Sequence, residues 1–146
     1  MNTMTSLPRE LLVFVLEYFD GPITGVAFFR GVPHYFDAEF DVASDSYTQR
    51  YRLTALSEKT MRTVFAARAA WRQELNADNR VAAELRNDWI ALRADMDKMI
   101  DRDVSLASPL LVVAHFIRLR EAGTDEDSFE VAWTQVAEKN NSSPQD

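Results

Sequence analysis

The sequence predicts an α+β fold: an antiparallel meander of four N-terminal strands, two amphipathic helices and a C-terminal hairpin. Three observations predict it. Four runs rich in β-branched and aromatic residues, LLVFVLEYF, ITGVAFF, HYFDAEFD and YTQRYRLTAL, lie between residues 11 and 56, separated by DGP, RGVP and VASDS. Residues 57–100 then place apolar side chains at helical spacing. Residues 110–136 return to β-forming composition, in LLVVAHFIRLR and FEVAWTQV.

The first strand, Leu11 to Phe19, is apolar on both faces, which suits a central strand or one covered by helices. Asp20-Gly21 is a hairpin signal, and Pro22 after it fits a turn or edge position. The second strand, Ile23 to Phe29, contains Gly25, which marks a bulge or the close approach of a bulky group. Its register with the third depends on the turn. A Gly31-Val32 turn and a Gly31-Val32-Pro33 loop put opposite faces inward, and Pro33, lacking an N–H, favours the longer loop.

The third strand alternates. His34, Phe36, Ala38 and Phe40 share one face, and Tyr35, Asp37, Glu39 and Asp41 share the other. Three carboxylates about 6.6 Å apart resemble a metal or acid–base site. The fourth strand argues otherwise. A loop centred between Ser44 and Asp45 sets Glu39 against Arg50 and Asp37 against Arg52. It also sets Phe40 against Gln49, Ala38 against Tyr51 and Phe36 against Leu53. The acidic stripe is then a register-setting charge ladder. Asp41 and Asp45 stay unpaired in this scheme.

Ser57 is a good N-cap, with Glu58 at the positive end of the helix dipole and Leu56 and Met61 at staple spacing. Met61, Val64, Phe65 and Leu75 form the expected buried stripe of this helix, with Trp71 off it and Arg68 and Arg72 interrupting it. Asn76-Ala77-Asp78-Asn79 ends it. A second helix, from about Arg80 to Ile100, has the seam Leu85, Trp89, Leu92, Met96 and Met99, which covers the sheet or, in a second use, forms a homodimer contact.

Residues 110–136 admit two strands or, with Ser108-Pro109 as helix start and Asp127 and Glu130 as a capping box, a helix pair. Composition favours the strands. One domain over 1–137 is expected, followed by a disordered tail over 138–146, with a mobile lead over 1–9.

Two segments carry a resemblance. Glu17-Tyr18-Phe19-Asp20-Gly21-Pro22, then Gly25-Val26-Ala27 and Gly31-Val32-Pro33-His34-Tyr35-Phe36, resemble the opening of a group of small bacterial proteins of uncharacterised function. Glu130-Val131-Ala132-Trp133-Thr134 is similar to their closing strand. The resemblance implies a terminal strand and no particular chemistry.

Composition narrows function by exclusion. The chain has 146 residues, no cysteine and a net charge of −7. Disulfides, thiolate nucleophiles and cysteine metal sites are therefore excluded, and a cytoplasmic location is expected. An acidic surface opposes phosphate backbones, so no nucleic-acid partner is expected, and no apolar run reaches the length of a membrane span. No glycine-rich phosphate loop or metalloprotease or serine-hydrolase motif is present. No cofactor or metal is expected, because His34 sits on the face opposite Asp37 and Asp41.

The expected function is that of a non-enzymatic binding or interaction protein, immunity- or adaptor-like, that meets a basic protein partner. Its candidate residues are Tyr35, Asp37, Glu39, Asp41, Tyr47, Arg50 and Arg52, with Tyr51 nearby. The alternative is a small hydrolase or isomerase using His34 or His115 with a carboxylate between sheet and helices.

Overall fold

The computed structural model describes residues 8–76 and 78–136, of which 79–84 are described by their backbone alone. Strands β1 (Glu10–Tyr18), β2 (Pro22–Phe29), β3 (Val32–Asp41) and β4 (Ser46–Ala55) run up and down in chain order. Helices α1 (Glu58–Asn76) and α2 (Asn79–Leu106) follow as a hairpin, and then β5 (Leu110–Arg118). A 3-10 turn (Glu126–Ser128) leads into β6 (Phe129–Gln135). Each strand pairs antiparallel with the next, and β6 returns to β1, so the sheet closes into a six-stranded barrel.

This corrects the expected fold class. The four N-terminal strands are not an open meander, and the C-terminal strands are neither a separate hairpin nor a helix pair. A four-stranded sheet would leave two unpaired edges and one uncovered apolar face. Strands β5 and β6 occupy both edges and bring Val112, Ala114, Val131 and Trp133 against Ala27, Phe36, Ala38 and Leu53 in the barrel interior. Closure thus removes the edges and buries the face together.

A second core lies outside the barrel. Val13, Phe14 and Val26 meet Leu56, Met61, Val64, Ala67, Met96 and Ile100, so the helical hairpin covers the outer wall of β1 and β2. The apolar character of both faces of β1 follows from this double duty. Register shifts along β1 send Leu12 and Val15 inward while Val13, Phe14 and Leu16 meet the helices. The buried face of α1 is Met61, Val64, Ala67 and Trp71, whereas Phe65 and Leu75 are exposed, contrary to the expected stripe. The Ser57 hydroxyl accepts from the Thr60 amide at 3.2 Å, which caps α1.

Two local details correct the expected registers. The β2–β3 turn is the two-residue Arg30-Gly31 pair, with φ of 54° and 78°, so Phe29 pairs with Val32, and Pro33 lies within β3 opposite Phe28. The Glu10 carboxylate accepts both turn amides, at 2.8 and 3.0 Å, which offsets the left-handed backbone at Arg30. Between β3 and β4, Phe36, Asp37 and Ala38 pair with Leu53, Arg52 and Tyr51, but Phe40 pairs with Tyr47 and not with Gln49. A bulge at Thr48–Arg50 absorbs the difference, with the Thr48 hydroxyl donating to the Glu39 carbonyl at 3.2 Å.

Two seams of the barrel are short. β6 pairs with β1 only through Glu10–Val131 and Leu11–Glu130, and β4 pairs with β5 only over Arg50–Leu53 and Leu110–Val113. The first is clasped from outside by Glu126. Its buried carboxylate accepts from the Val15 amide at 3.4 Å and from Arg68 and Arg72 of α1 at 3.3 and 2.8 Å. The second seam stays open. The lead, except for residues 8 and 9, and the tail over 138–146 lie outside the described residues.

Candidate functional site

Beyond Arg50 and Val113, β4 and β5 part company, and a cleft of about 620 Å³ opens between residues 46–49 and 114–118. The β1–β2 turn forms its third side. Strand periodicity explains its lining. Val112, Ala114 and Phe116 point into the barrel, and Arg118, two residues further, meets the mouth on the same face. The floor is aromatic: the Phe116 ring lies 5.6 Å from Tyr51, 6.0 Å from Trp133 and 6.2 Å from Phe129. The lip is aromatic too, with Tyr47 5.0 Å from Phe40 and 6.5 Å from Phe19, and Phe19 is 72% exposed.

Polar groups punctuate this lining. The Tyr51 hydroxyl donates to the Pro22 carbonyl, which ties the floor to the β1–β2 turn. Burial pushes that phenol up to about 12. The Arg118 guanidinium lies 4.7 Å from the centre of the Phe129 ring and donates to the Tyr18 hydroxyl at 3.1 Å and the Gly123 carbonyl at 3.1 Å. His115 lines the open seam, and Asp20 and Asp45 stand on the rim.

The seven residues singled out in the sequence fall in different places. Asp37 and Arg52 pair at 2.9 Å, and Glu39 and Arg50 at 3.6 Å, as a ladder on the outer wall. Asp41 caps its own turn, accepting from the Ala43 amide at 3.1 Å and the Ser44 hydroxyl at 2.9 Å. Tyr35 packs beside the helices, where burial, and then the nearby Asp37 carboxylate, push its phenol up to about 12. Only Tyr47 reaches the cleft.

Other concavities are less equipped for a ligand. A groove of about 500 Å³ between α1 and α2 is lined by Ala66, Ala69, Ala70 and Ala91, with Leu85, Leu92, Gln73 and Asp88, and holds no aromatic ring. A cleft of about 260 Å³ under α2 holds Glu17, Thr24, Tyr35, Arg93, Asp97 and Asp101. Its polar groups largely satisfy one another, with Thr24 donating to Glu17 at 2.9 Å and Arg93 to Asp97 at 3.1 Å. Among the described residues, no cluster of three histidine or carboxylate side chains is arranged to hold a metal ion.

Compared with family models, curated proteins and solved structures, the chain matches none. The cleft is the best-equipped concavity among the described residues. Its residues Tyr18, Phe19, Phe40, Phe116, Arg118 and Phe129 escaped sequence reasoning because they belong to four strands and the turn between two of them. The signal present was a cluster of aromatics at strand ends, in Tyr18-Phe19 before Asp-Gly-Pro and in His115-Phe116-Ile117-Arg118. Only the pairing of β5 with β6 and its parting from β4 bring them together. No helix among the described residues is long and apolar enough to cross a membrane.

Proposed function

We propose that this chain is a non-enzymatic binding protein that holds a small, largely apolar ligand in the open mouth of its barrel. The observation that carries the proposal is the 620 Å³ cleft with an aromatic floor and lip. Its size falls within the roughly 300–1,000 Å³ of small-molecule sites, which favour barrel mouths. The rest of the interior is filled by Phe36, Leu53, Val112 and Val131, each nearly inaccessible, so a ligand is held at the end of the barrel and not along its axis.

Two further facts favour binding over catalysis. His34 bonds to the Val32 carbonyl of its own strand at 2.8 Å and stands edge-on to Phe29, at the end of the sheet away from the cleft. The polar groups of the floor are occupied in holding the fold, as Tyr51 does with Pro22. The proposal moves the expected surface from the outer ladder of β3 and β4 to the mouth, because Asp37, Glu39, Arg50 and Arg52 already neutralise one another.

Titration of the isotopically labelled chain with 1-decanol tests it. Amide shifts are expected at Tyr18, Tyr47, His115 and Phe116, and Tyr47→Ser is expected to weaken binding by about three- to tenfold through loss of an aromatic contact. Shifts confined to the α1–α2 groove or the outer ladder would overturn the assignment of the mouth.

A further inference from the structure

Arg118 differs from the other arginines that the strands and helices bring into close contacts. Arg50, Arg52, Arg68, Arg72 and Arg93 each meet a carboxylate. Among the described residues, Arg118 meets only neutral oxygens: the Tyr18 hydroxyl and the Gly123 carbonyl, both at 3.1 Å, and the Arg120 carbonyl at 3.4 Å. Its guanidinium is further fixed over the face of Phe129. These contacts engage Nη1 twice and Nη2 once, which leaves the Nε hydrogen and one Nη2 hydrogen without a partner among the described residues.

Position makes the difference functional. Arg118 lines the cleft on the barrel-facing side of β5, two residues beyond Phe116 of the aromatic floor. A cation already oriented by neutral acceptors keeps its full charge for a ligand and loses little side-chain freedom on binding one. Nε is left out of these contacts among the described residues, and the Nε–Nη2 edge of a guanidinium matches the two oxygens of a carboxylate.

Accepting the mouth as the ligand site, we propose that its ligand is an amphiphile whose apolar chain or ring rests on the Phe116–Tyr51 floor and whose carboxylate is bound by Arg118. Rim charge restricts the head further. Asp20 and Asp45 line the same cleft, and the whole chain carries −7. Each added negative charge on the ligand meets that field, so a monoanionic carboxylate is favoured over a phosphate.

The test compares ligands that share one chain: decanoate, 1-decanol, decyl phosphate and decyltrimethylammonium, each titrated into the full chain by calorimetry and by amide shifts. Decanoate is expected to bind at least about tenfold more tightly than 1-decanol, the usual worth of a charge-assisted hydrogen bond. Arg118→Met is expected to abolish that preference, so that decanoate binds this variant no more tightly than 1-decanol does, and Arg118→Lys to restore part of it. Because Arg118 also holds Gly123, urea unfolding of each variant checks that the barrel persists, and the ratio of decanoate to 1-decanol affinity within one variant removes any general loss. Equal binding of decanoate and 1-decanol at the cleft, or a preference for decyltrimethylammonium, overturns the carboxylate while leaving the mouth as the site. Absence of cleft shifts with every ligand overturns the mouth, and the carboxylate with it.

Discussion

Tyr35 and Tyr51 show how one residue type serves different ends in the two cores. Tyr51 sits in the barrel with its hydroxyl on Pro22, and Tyr35 sits outside it against the helices. Burial raises both phenols from about 10 to about 12, with Asp37 adding to the effect at Tyr35. The protonated form is the one the fold favours. The stability these residues contribute is therefore fully present below pH 10 and is lost as pH rises from 10 to 12. Ultraviolet difference titration is expected to show two tyrosines ionising near pH 12 in the folded chain, with one of them absent in Tyr51→Phe; ionisation of both near 10 would show that neither phenol is desolvated. Gly25 is the counterpart among small residues. A Cβ there would lie 2.2 Å from the Phe14 carbonyl oxygen and 2.7 Å from the Phe36 ring, so the largest fully buried aromatic of the barrel needs hydrogen at that position.

At the scale of elements, the short β1–β6 seam depends on groups that are not in the sheet. Glu126 is nearly inaccessible and links Arg68 and Arg72 of α1 to the Val15 amide of β1, while Asp127 adds a second carboxylate on Arg72. The Arg72 guanidinium, donating to Asp127, holds that carboxyl below the ordinary carboxylate range, so its contribution is present at neutral pH and lost as acid protonates it. Glu126→Gln is expected to destabilise the chain by about 1–3 kcal/mol in urea unfolding. That is below the roughly 3–5 kcal/mol of a fully buried pair, because Arg68 and Arg72 keep 30% and 35% of their side chains in solvent. Faster amide exchange at Val15 is expected alongside; no change in either measurement would reduce the clasp to an ornament of the surface. None of this was legible beforehand. Arg68 and Arg72 read as interruptions of an apolar stripe, since their partners lie 54 to 58 residues away. The Asp37–Arg52 pairing, by contrast, was legible, because a short loop joins the two strands and cross-strand charge and apolar partners agree on one register.

For the whole molecule, closure is the organising event. A four-stranded piece ending at residue 106 would expose Phe36, Ala38, Tyr51 and Leu53, which rest on Val112, Ala114, Val131 and Trp133 from the last third. Such a fragment is expected to lack a cooperative urea transition, although its helical hairpin still covers the outer wall. A cooperative transition with the full chain's midpoint would show that β5 and β6 are accessories. The same closure creates the mouth. Strands β4 and β5 are joined through a 28-residue helix and the helix before it, so no tight turn fixes their pairing along its length, and they separate after four residue pairs.

Sequence alone determined the four N-terminal strands and the helical section after them, because these follow from local periodicity, turn chemistry and caps: Asp20-Gly21, Ser57, and the alternation of His34 to Asp41; over residues 110–136 it admitted strands and helices alike. It also determined one stretch of register, where neighbouring strands share a short loop. Tertiary structure alone decided that β5 and β6 close a barrel, which wall the helices cover, and that Arg118 shares a cleft with Tyr18, Tyr47 and Tyr51. The physical reason is range. Periodicity says that a face is apolar but not which distant face covers it, and that choice belongs to packing and the removal of free edges across the whole chain.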